Sequence, residues 1–505
     1  METRKLKILP HQRDAARWVV RTRAGNLWAG MGTGKTIITL LALELMARRK
    51  VAGLRRKVGD DPKAPPPVMY GFKRALIVTK PRLATCTWPD EMNTDKWPFL
   101  KTIRLDVLAG TPEQRIEILN KAAARNQIHT ISFELVPWLV DHCTQKGERL
   151  FDWPYPIVIC DESTRLGGFR KRNGSKQPAV LNKIRSQVTR WFNLTGTPTP
   201  NSYIVLWGQQ WFIDFGAALG SSFMEFVDKF FYRHPQLQYP TKLRPGAAET
   251  IAELLAPTTY IIRAEDHMDI EEPVIDVRKF DLPVNHQRLH NALLKGCSGV
   301  KVSDITLPSG AQLVPPNQAV CVQKANQVCS GAVYLDKSVY DTGGIRYEEL
   351  HDEKIKLLEE YLEELDGSTT LIAYSYVSDR ERILKHPSLT RFGIRDINEG
   401  KNVLEDWNNG KVPALLLHPA SAGHGLNLQF GGHHIVFFSI DWNAETHFQT
   451  IGRIGPTRQI ASGYDRCVFV TYLLARNSVE DKVIYPVLYS KQDQQEALKT
   501  YIGSL

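Results

Sequence analysis

The sequence has few of the features that stabilise small secreted proteins. Its seven cysteines are scattered along the chain, and no CxxC pair occurs among them. An odd and unpatterned set of cysteines argues against both a disulfide framework and a zinc ribbon. We therefore expect buried thiols in a reducing compartment.

Long hydrophobic runs are lacking too. The N-terminal stretch METRKLKILPHQRDAARW is charged and has no apolar core of the kind that a signal peptide requires. The most apolar early run, residues 37–47, contains Glu44 and is too short to span a bilayer. The sequence thus predicts a cytoplasmic protein that does not associate with membranes.

The charge balance is positive. The formal net charge of the 505 residues is +10 at pH 7. This excess of Lys and Arg favours a polyanionic partner, because cations that neutralise phosphates release condensed counterions. A merely soluble basic protein is the alternative that charge alone leaves open. The length indicates about two to four domains, each able to bury its own core.

Short apolar runs rich in β-branched residues alternate with longer helical patterns through most of the chain. Continuous apolar strands separated by helices are typical of parallel sheets that are covered on both faces. One series of such runs lies in each half of the chain, so we predict an α/β fold with two lobes, 1–262 and 263–505. The predicted strands are 75–79, 130–132, 157–160, 370–374, 414–417 and 435–438.

Two stretches, about 203–260 and 285–362, are helical and rich in bulky residues. Aromatic and aliphatic residues recur there at three- and four-residue spacing, which indicates helix packing. We predict a helical protrusion on the first lobe and a helical insertion in the second. A Pro- and charge-rich segment, 48–73, is predicted to be a loop.

Residues 27–41 read LWAGMGTGKTIITLL and have the composition of a phosphate-binding loop. Glycines let backbone N–H groups cradle phosphate oxygens at the N-terminus of the following helix. Lys35 would reach the β- and γ-phosphates, and the Thr36 hydroxyl would hold Mg²⁺. Ala29 stands where the strict motif has its first glycine, so the match is to a relaxed pattern. The residues predicted to bind nucleotide here are Gly30, Met31, Gly32, Thr33, Gly34, Lys35 and Thr36.

Two carboxylates follow the apolar strand 157–160. Asp161 would hold the metal, mostly through water, and Glu162 would orient or deprotonate the attacking water. Further on, Thr195 and Thr197 end another predicted strand and could lie beside these acids. A capped or proline-defined turn is an equally good structural description of both segments.

In this order the motifs resemble those of helicase superfamily two, and within it the Swi/Snf-type DNA translocases. The threonine segment LTGTP (194–198), the glycine-rich SAGHGLNL (421–428) and the triplet DWN (441–443) carry the resemblance. The family implies two RecA-like lobes that bind ATP and Mg²⁺ between them. By the same resemblance Gln12 would read the adenine edge, and Gly425 would lie where the nucleic-acid track joins the ATP site.

The family's arginine motif has a glutamine, an arginine four residues on and a second arginine three residues beyond. Gln449 and Arg453 fit this pattern, but position 456 is proline and the next arginine is Arg458. Arg453 is thus predicted to contact the γ-phosphate together with Arg458. Which of the two is the arginine finger stays open, since only one planar cation need lie on the transition-state charge.

The resemblance also implies residues that grip nucleic acid. Contacts of this type are made with phosphates and carry little sequence information. The family's preferred track is double-stranded DNA, with single-stranded DNA as an alternative. The residues implied are Lys80, Arg82, Ser132, Thr195, Thr197, Ser375, Ser421 and Trp442.

Three functional hypotheses follow. The leading one is an ATP-driven translocase on duplex DNA, expected to be a monomer in a bacterial or phage-infected cell. The second keeps the motor but makes it a strand-separating helicase on single-stranded DNA or RNA. The third is a nucleotide-gated DNA-binding loader with little turnover, which the altered arginine spacing keeps open.

Overall fold

The computed structural model of the chain divides into two compact units. The first comprises residues 1–268 and 494–505, and the second residues 269–493. The structure describes residues 7–48, 72–121, 126–144, 153–171, 174–233, 240–267, 270–296, 305–313, 315, 317–335, 347–400, 402–422 and 426–504.

The first unit is built on a seven-stranded sheet in the order β3-β4-β2-β5-β6-β1-β9. Every pairing in it is parallel. Its strands are β1 (Ala24–Ala29), β2 (Arg74–Thr79), β3 (Arg104–Val107), β4 (Gln127–Ser132), β5 (Ile157–Asp161), β6 (Arg190–Thr195) and β9 (Thr259–Ile262). Its helices are α1 (Pro10–Arg21), α2 (Lys35–Arg48), α3 (Trp88–Glu91), α4 (Pro112–Asn120), α5 (Val136–Thr144) and α6 (Lys176–Ile184).

The central strands of this sheet are buried on both faces. Along β2, Leu76 and Val78 belong to one hydrophobic cluster while Ala75 and Ile77 belong to another. Side chains alternate between the two faces of a strand, so these are two separate cores, one on each side of the sheet. This is why β2 reads as a continuous apolar run rather than an alternating one.

A helical region follows β6 and carries much of the aromatic content of the first unit. Trp207, Trp211 and Phe212 of its first helix and Phe226 of its second belong to the same core cluster. Its elements are α7 (Val205–Asp214), α8 (Phe223–Phe230), the antiparallel strands β7 (Phe231–Arg233) and β8 (Pro240–Leu243), and α9 (Ala247–Leu255).

The second unit is built on a six-stranded sheet in the order β10-β19-β18-β15-β17-β16. All of its pairings are parallel. Its strands are β10 (Val274–Phe280), β15 (Thr370–Ala373), β16 (Ile394–Asp396), β17 (Ala414–Leu417), β18 (His434–Phe437) and β19 (Phe469–Ala475). Its helices are α12 (Glu353–Glu364), α13 (Val377–Lys385), α14 (Val403–Asn408), α15 (Pro419–Ala422), α16 (Ala444–Ile454), α17 (Pro456–Ala461) and the start of α18 (Tyr485–Ser504).

Between β10 and α12 the second unit contains two helices and two short hairpins. Leu293 and Val328 place both helices in the main core of this unit. Lys354 and Glu480 form an ion pair of 2.6 Å whose side chains have no exposed surface. The inserted elements are α10 (Val284–Gly296), β11 (Ile305–Thr306), β12 (Gln312–Leu313), α11 (Gln318–Ser330), β13 (Ala332–Tyr334) and β14 (Tyr347–Glu349).

The predicted α/β fold with two parallel sheets is confirmed. The units divide after residue 268 rather than after 262, and the end of α18 belongs to the first unit. There Leu498 and Ile502 pack into the aromatic core cluster. Most of the predicted loop 48–73 lies outside the described residues. In the part of the chain that the structure describes, no helix is long and apolar enough to cross a membrane.

Candidate functional site

The predicted phosphate loop, acidic turn and threonine loop lie at one edge of the first sheet. Trp28 of β1 pairs with Thr195 of β6, and Asp161 of β5 pairs with Leu194 of β6. Because these strands are parallel, their carboxyl ends meet at the same edge, where sheets of this type bind ligands. The structure therefore brings together three segments that lie far apart in the sequence.

The phosphate loop connects β1 to α2. Gly32 and Gly34 have φ angles of 80° and 91°, which glycine adopts without the steric cost of a Cβ. The loop leads into the N-terminus of α2, where unpaired backbone N–H groups and the helix dipole favour anions. Lys35 Nζ donates hydrogen bonds to the carbonyl oxygens of Ala29 (2.9 Å) and Gly30 (3.4 Å), so its ammonium lies over the loop.

The remaining loop residues differ in burial. Thr33 is buried, and its Oγ1 donates a hydrogen bond of 2.8 Å to the carbonyl oxygen of Gly30. Met31 and Thr36 are half-buried, and Thr36 is the second residue of α2. The loop is thus closed by its own hydrogen bonds, while the start of α2 stays accessible to a ligand.

Gln12 joins α1 to this loop. Its Oε1 accepts a hydrogen bond from Leu9 N (3.0 Å), and its Nε2 donates one to the carbonyl oxygen of Thr33 (3.1 Å). A Cβ on Gly34 would lie 2.5 Å from Gln12 Nε2. Gln12 therefore packs directly on the phosphate loop, beside the place where its predicted ligand would bind.

Asp161 is buried and receives three hydrogen bonds. Its Oδ2 accepts from Thr79 Oγ1 and Trp88 Nε1, each at 3.1 Å, and its Oδ1 accepts from Glu162 N at 3.1 Å. Burial, followed by the charge of Glu162, raises the pKa of Asp161 to about 6, while Lys35 and the two side-chain donors lower it. Asp161 and Lys35 thus interact electrostatically across the site.

Glu162 has a left-handed backbone, with φ 57° and ψ 52°. This region is costly for a side chain with a Cβ, by about 1–3 kcal/mol, and such strain clusters at functional sites. The chain then enters a 3-10 turn, Ser163–Gly168.

The threonine loop closes the site next to the phosphate loop. Thr197 N donates a hydrogen bond of 3.0 Å to Thr195 Oγ1. A Cβ on Gly196 would lie 3.4 Å from Lys35 Nζ, so the two loops are in close contact. The buried hydroxyls of Thr197 and Thr199 have no hydrogen-bond partner among the described residues.

Two residues that hold Asp161 were not singled out from the sequence. Trp88 begins α3, and its side chain is only 1% exposed and donates to the acid. Thr79 is the last residue of the neighbouring strand β2. Because β2 and β5 were both predicted as strands, the sequence could have indicated that Thr79 lies near Asp161.

The residues predicted to grip nucleic acid in the first unit lie along the same edge. Thr79 and Ser132 pair at the ends of β2 and β4, and Lys80 follows directly. Arg82 precedes a π-helical turn, Leu83–Thr87, which is a widened turn often found at functional sites. Lys80 and Arg82 are half-buried, and Ser132 is buried at 7% exposure.

In the second unit, Ser375 and Trp442 line one cavity of about 590 Å³. The backbone N of Ser375 donates to Ser439 Oγ (2.7 Å), which in turn donates to Asp379 Oδ2 (2.6 Å). Trp442 is 38% exposed. The structure thus brings these two predicted residues together and fixes Ser375 through a buried carboxylate.

The two arginines lie on successive helices of the second unit. α16 ends at Ile454, and α17 begins at Pro456, which occupies its first position after Gly455. Proline is favoured there because its fixed φ fits a helix start and its missing N–H is not needed. The helix break explains why the family's spacing is lost between Arg453 and Arg458.

Despite the break, the guanidinium groups remain near each other. Arg458 Nη1 donates to the carbonyl oxygen of Leu426 (3.1 Å) and to Asn427 Oδ1 (3.0 Å). Burial, and next the charge of Arg453, lowers the pKa of Arg458 to about 9. Arg453 itself is 6% exposed. Of the other predicted residues here, Ser421 lies on α15, and Gly425 lies outside the described residues.

Comparison with known proteins agrees with these observations. Residues 11–261 match the SNF2-related domain, and residues 353–457 match the helicase conserved C-terminal domain. Putative protein p41 of Acyrthosiphon pisum secondary endosymbiont phage 1 is 36% identical over 498 residues, which cover 97% of each chain.

Two more distant similarities are found. The chicken (Gallus gallus) DNA repair and recombination protein RAD54B is 23% identical over 541 residues, covering 97% of this chain, which spans about half (54%) of that protein. The crystal structure of the Pyrococcus furiosus Hef helicase domain covers 94% of this chain and 97% of its own, with 12% identity and a TM-score of 0.50, a likeness of fold. The chain therefore belongs to the Swi/Snf-type family of superfamily-two helicases and is an ATPase of the helicase type.

Proposed function

We propose that the protein is an ATP-dependent translocase on double-stranded DNA. The observation that carries the proposal is the convergence at one sheet edge of Lys35, Asp161 and Thr195, with Lys80 and Ser132 on adjacent strand ends. The same edge therefore holds both the predicted nucleotide residues and the predicted nucleic-acid residues. The Swi/Snf-type marks and the relative named for DNA repair and recombination support duplex DNA as the track.

The residues of the first unit suit a magnesium nucleotide. Mg²⁺ usually takes one or two protein oxygens and keeps several waters. Asp161 and Thr36 fit that demand, and the described residues contain no group of three or more His, Cys, Asp or Glu that would form a denser metal cage. When bound, Mg²⁺ would neutralise charge that develops on the β- and γ-phosphates.

Lys35 and Glu162 would supply the remaining chemistry of the first unit. The Lys35 ammonium would exchange its bonds to Ala29 and Gly30 for phosphate oxygens, which are the stronger partners because they are charged. Glu162 would orient the attacking water and accept its proton. In this proposal Arg453 and Arg458 provide the cations that stabilise the transition state.

Contacts with nucleic acid would be made through the backbone. Lys80 and Arg82 can pair with phosphates, and Ser132 and Ser375 can donate hydrogen bonds to them. Such contacts are insensitive to base sequence and strongly sensitive to salt, because each neutralised phosphate releases counterions. Movement would then follow from a grip that changes with the state of the nucleotide.

The test is the rate of ATP hydrolysis by the full chain with duplex DNA, single-stranded DNA and RNA of equal length. We expect stimulation by duplex DNA to exceed that by either single strand and to fall steeply with added salt. Glu162→Gln is the control for turnover at this site and should lower hydrolysis by about a hundredfold or more. Equal stimulation by RNA would rule out the proposed track.

Two alternatives are separated by further measurements. Displacement of a strand from a forked substrate would indicate a helicase rather than a translocase. Wild-type hydrolysis no faster than that of Glu162→Gln would favour a nucleotide-gated loader with little turnover. The position of Arg458, fixed by Leu426 and Asn427 rather than by the family's spacing, is the observation that keeps the loader in consideration.

A further inference from the structure

Two adjacent glutamines, Gln209 and Gln210, are buried in α7 of the first unit. Their side chains are 2% and 1% exposed. A buried amide is stable only when its oxygen and its nitrogen are both hydrogen-bonded, so its partners indicate what it holds in place. The two residues have different partners, and only one of them reaches the candidate site.

Gln209 bridges the acidic turn and the threonine loop. Its Oε1 accepts a hydrogen bond of 3.0 Å from Ser163 Oγ, two residues after Asp161. Its Nε2 donates one of 2.9 Å to the carbonyl oxygen of Pro198, in the turn that follows Thr197. One side chain therefore joins two segments that are otherwise connected through the ends of β5 and β6.

The backbone of α7 is in direct contact with the same acidic turn. A Cβ on Gly208 would lie 2.3 Å from the carbonyl oxygen of Leu166, and a Cβ on Gly167 would lie 2.5 Å from Val205 Cβ. Two glycines thus allow the helix and the turn to touch without intervening side chains. A displacement of the turn cannot be absorbed by side-chain rotation at this point, because the contacting atoms belong to the backbone or, in Val205, to the Cβ attached directly to it.

The backbone of Gln209 is also hydrogen-bonded to the central sheet. Asn193 Nδ2 of β6 donates a hydrogen bond of 2.9 Å to the backbone oxygen of Gln209. Asn193 Nδ2 also donates to Asn26 Oδ1 of β1 at 3.0 Å. The bridge is thus fixed to the strands that carry the phosphate loop and the threonine loop, and it forms a continuous polar network inside the first unit.

We infer that Gln209 is a positioning residue that couples the acidic turn to the threonine loop, so that a change at the nucleotide alters the nucleic-acid-binding edge. This inference rests on the proposed function. It assigns to α7, the first helix of the helical region, a role in coupling the binding of nucleotide to that of nucleic acid. Gln209 touches neither nucleotide nor nucleic acid and acts through Ser163 and Pro198.

Gln210 provides a matched control on the same helix. Its Oε1 accepts from Asn26 Nδ2 (2.9 Å), and its Nε2 donates to Asp214 Oδ2 (2.7 Å) and Thr258 Oγ1 (3.2 Å). None of these partners belongs to the acidic turn or the threonine loop. Replacing either glutamine with leucine removes the same buried amide, so a purely structural effect should be similar in both.

The experiment measures ATP hydrolysis by full-length wild type, Gln209→Leu and Gln210→Leu, with and without duplex DNA, together with KM for ATP and melting temperature. We expect the basal rate and KM of Gln209→Leu to stay within twofold of wild type. Its stimulation by DNA should be at least fivefold smaller than that of wild type. Gln210→Leu should keep the stimulation. Equal loss in both variants, or full stimulation in Gln209→Leu, would overturn the inference.

A second variant covers the case in which Gln209→Leu does not fold. Ser163→Ala removes only the hydroxyl that donates to Gln209, and it should reproduce the loss of stimulation. The double variant should lose no more than Gln209→Leu alone, because both changes break one connection. Full stimulation in Ser163→Ala would overturn the inference. A wild type that DNA does not stimulate would instead refute the proposed function, and the inference with it.

Discussion

Asp161 shows how single residues set the chemistry of this site. Burial disfavours its charged form, while Thr79 and Trp88 stabilise that form by donating to the same oxygen. The pKa of about 6 is the balance of these effects. An acid with this pKa is ionised at neutral pH but becomes protonated under mildly acidic conditions.

Removing one donor should therefore shift the acid side of the activity profile. Trp88→Phe keeps most of the ring but deletes the N–H, which raises the pKa of Asp161 further. In the proposed function hydrolysis needs the ionised acid, so the rate should fall at higher pH than in wild type, with about a threefold larger loss at pH 6. The measurement is hydrolysis rate against pH for both proteins.

Trp97→Phe is the matched control for this prediction. Trp97 is also buried in the first unit, and its N–H donates to Glu91 Oε2 at 2.8 Å rather than to Asp161. Its replacement should leave the acid side of the profile in place. An unchanged profile in Trp88→Phe would show that this hydrogen bond does not tune Asp161.

The sequence predicts the two acids as candidate site residues, but not the residues that contact Asp161. Asp161 and Glu162 could be predicted because they end an apolar strand at a suitable distance from Lys35. Trp88 could not, because its bond to Asp161 joins residues 73 positions apart and leaves no periodic pattern. Gln209 could not be predicted for the same reason, because it lies 46 positions from Ser163. Its aromatic neighbours in the sequence indicate only helix packing.

At the scale of elements, the phosphate loop depends on one glycine more than on another. Gly34 has a φ of 91°, and its Cβ would lie 2.5 Å from Gln12 Nε2, so alanine there is strained twice over. Gly30 is not among the glycines with positive φ, and a Cβ there would lie 3.6 Å from Thr33 Cγ2, a normal contact. We expect Gly34→Ala to weaken binding of a fluorescent ATP analogue by about tenfold or more, and Gly30→Ala by less than about twofold. Equal affinities in the two variants would contradict this description of the loop.

The helix break at Gly455 and Pro456 leads to a prediction about the position of the second arginine. Arg458→Ala should lower hydrolysis by about a hundredfold, because in the proposed function Arg458 supplies a cation to the transition state. Adding Pro456→Arg should not rescue it, since position 456 lies about 200° around the helix axis from position 458.

Arg466→Ala is the control, because Arg466 bonds to Gln459 and Gln429 in the same unit and lies outside the proposed site. Rescue by Pro456→Arg would show that the family's spacing still applies.

Several central strands were predictable because they are buried almost throughout, although β19, which is equally buried, was not among those predicted. The strands at the centre of both sheets, such as β2 and β15, have only buried residues after their first positions and so give continuous apolar runs. The edge strands β3, β10 and β16 are partly exposed, and their mixed sequences did not indicate strands. An edge strand is covered on fewer sides, so its sequence carries less of the signal.

At the scale of the whole molecule, the two units differ in how their histidines are buried. In the second unit, burial lowers the pKa of His351 and His434 to about 4 and that of His447 to about 3. In the first unit, burial lowers the pKa of His129 to about 4. The second unit thus holds three of these four neutral histidines.

This distribution makes the stability of the second unit more sensitive to acid. An unfolded histidine binds a proton as the pH falls through 6.5, whereas these buried histidines do not until about pH 4. The unfolded state therefore binds more protons than the folded state, and the free energy of unfolding decreases as the pH is lowered. Asp161 and Asp379, with pKa values raised to about 6, take up protons when folded and oppose this effect, one in each unit.

We therefore expect the second unit to lose protection from hydrogen exchange before the first when the pH is lowered from 7.5 to 6. Mass-spectrometric exchange resolved by peptide measures both units in the same sample, so each is compared with itself. His447→Gln should reduce the slope of the second unit's unfolding free energy against pH by about one proton, since glutamine does not titrate. Glutamine can still form a hydrogen bond with Tyr472 OH. Earlier loss of protection in the first unit, or an unaltered slope in His447→Gln, would show that other groups control the response to acid.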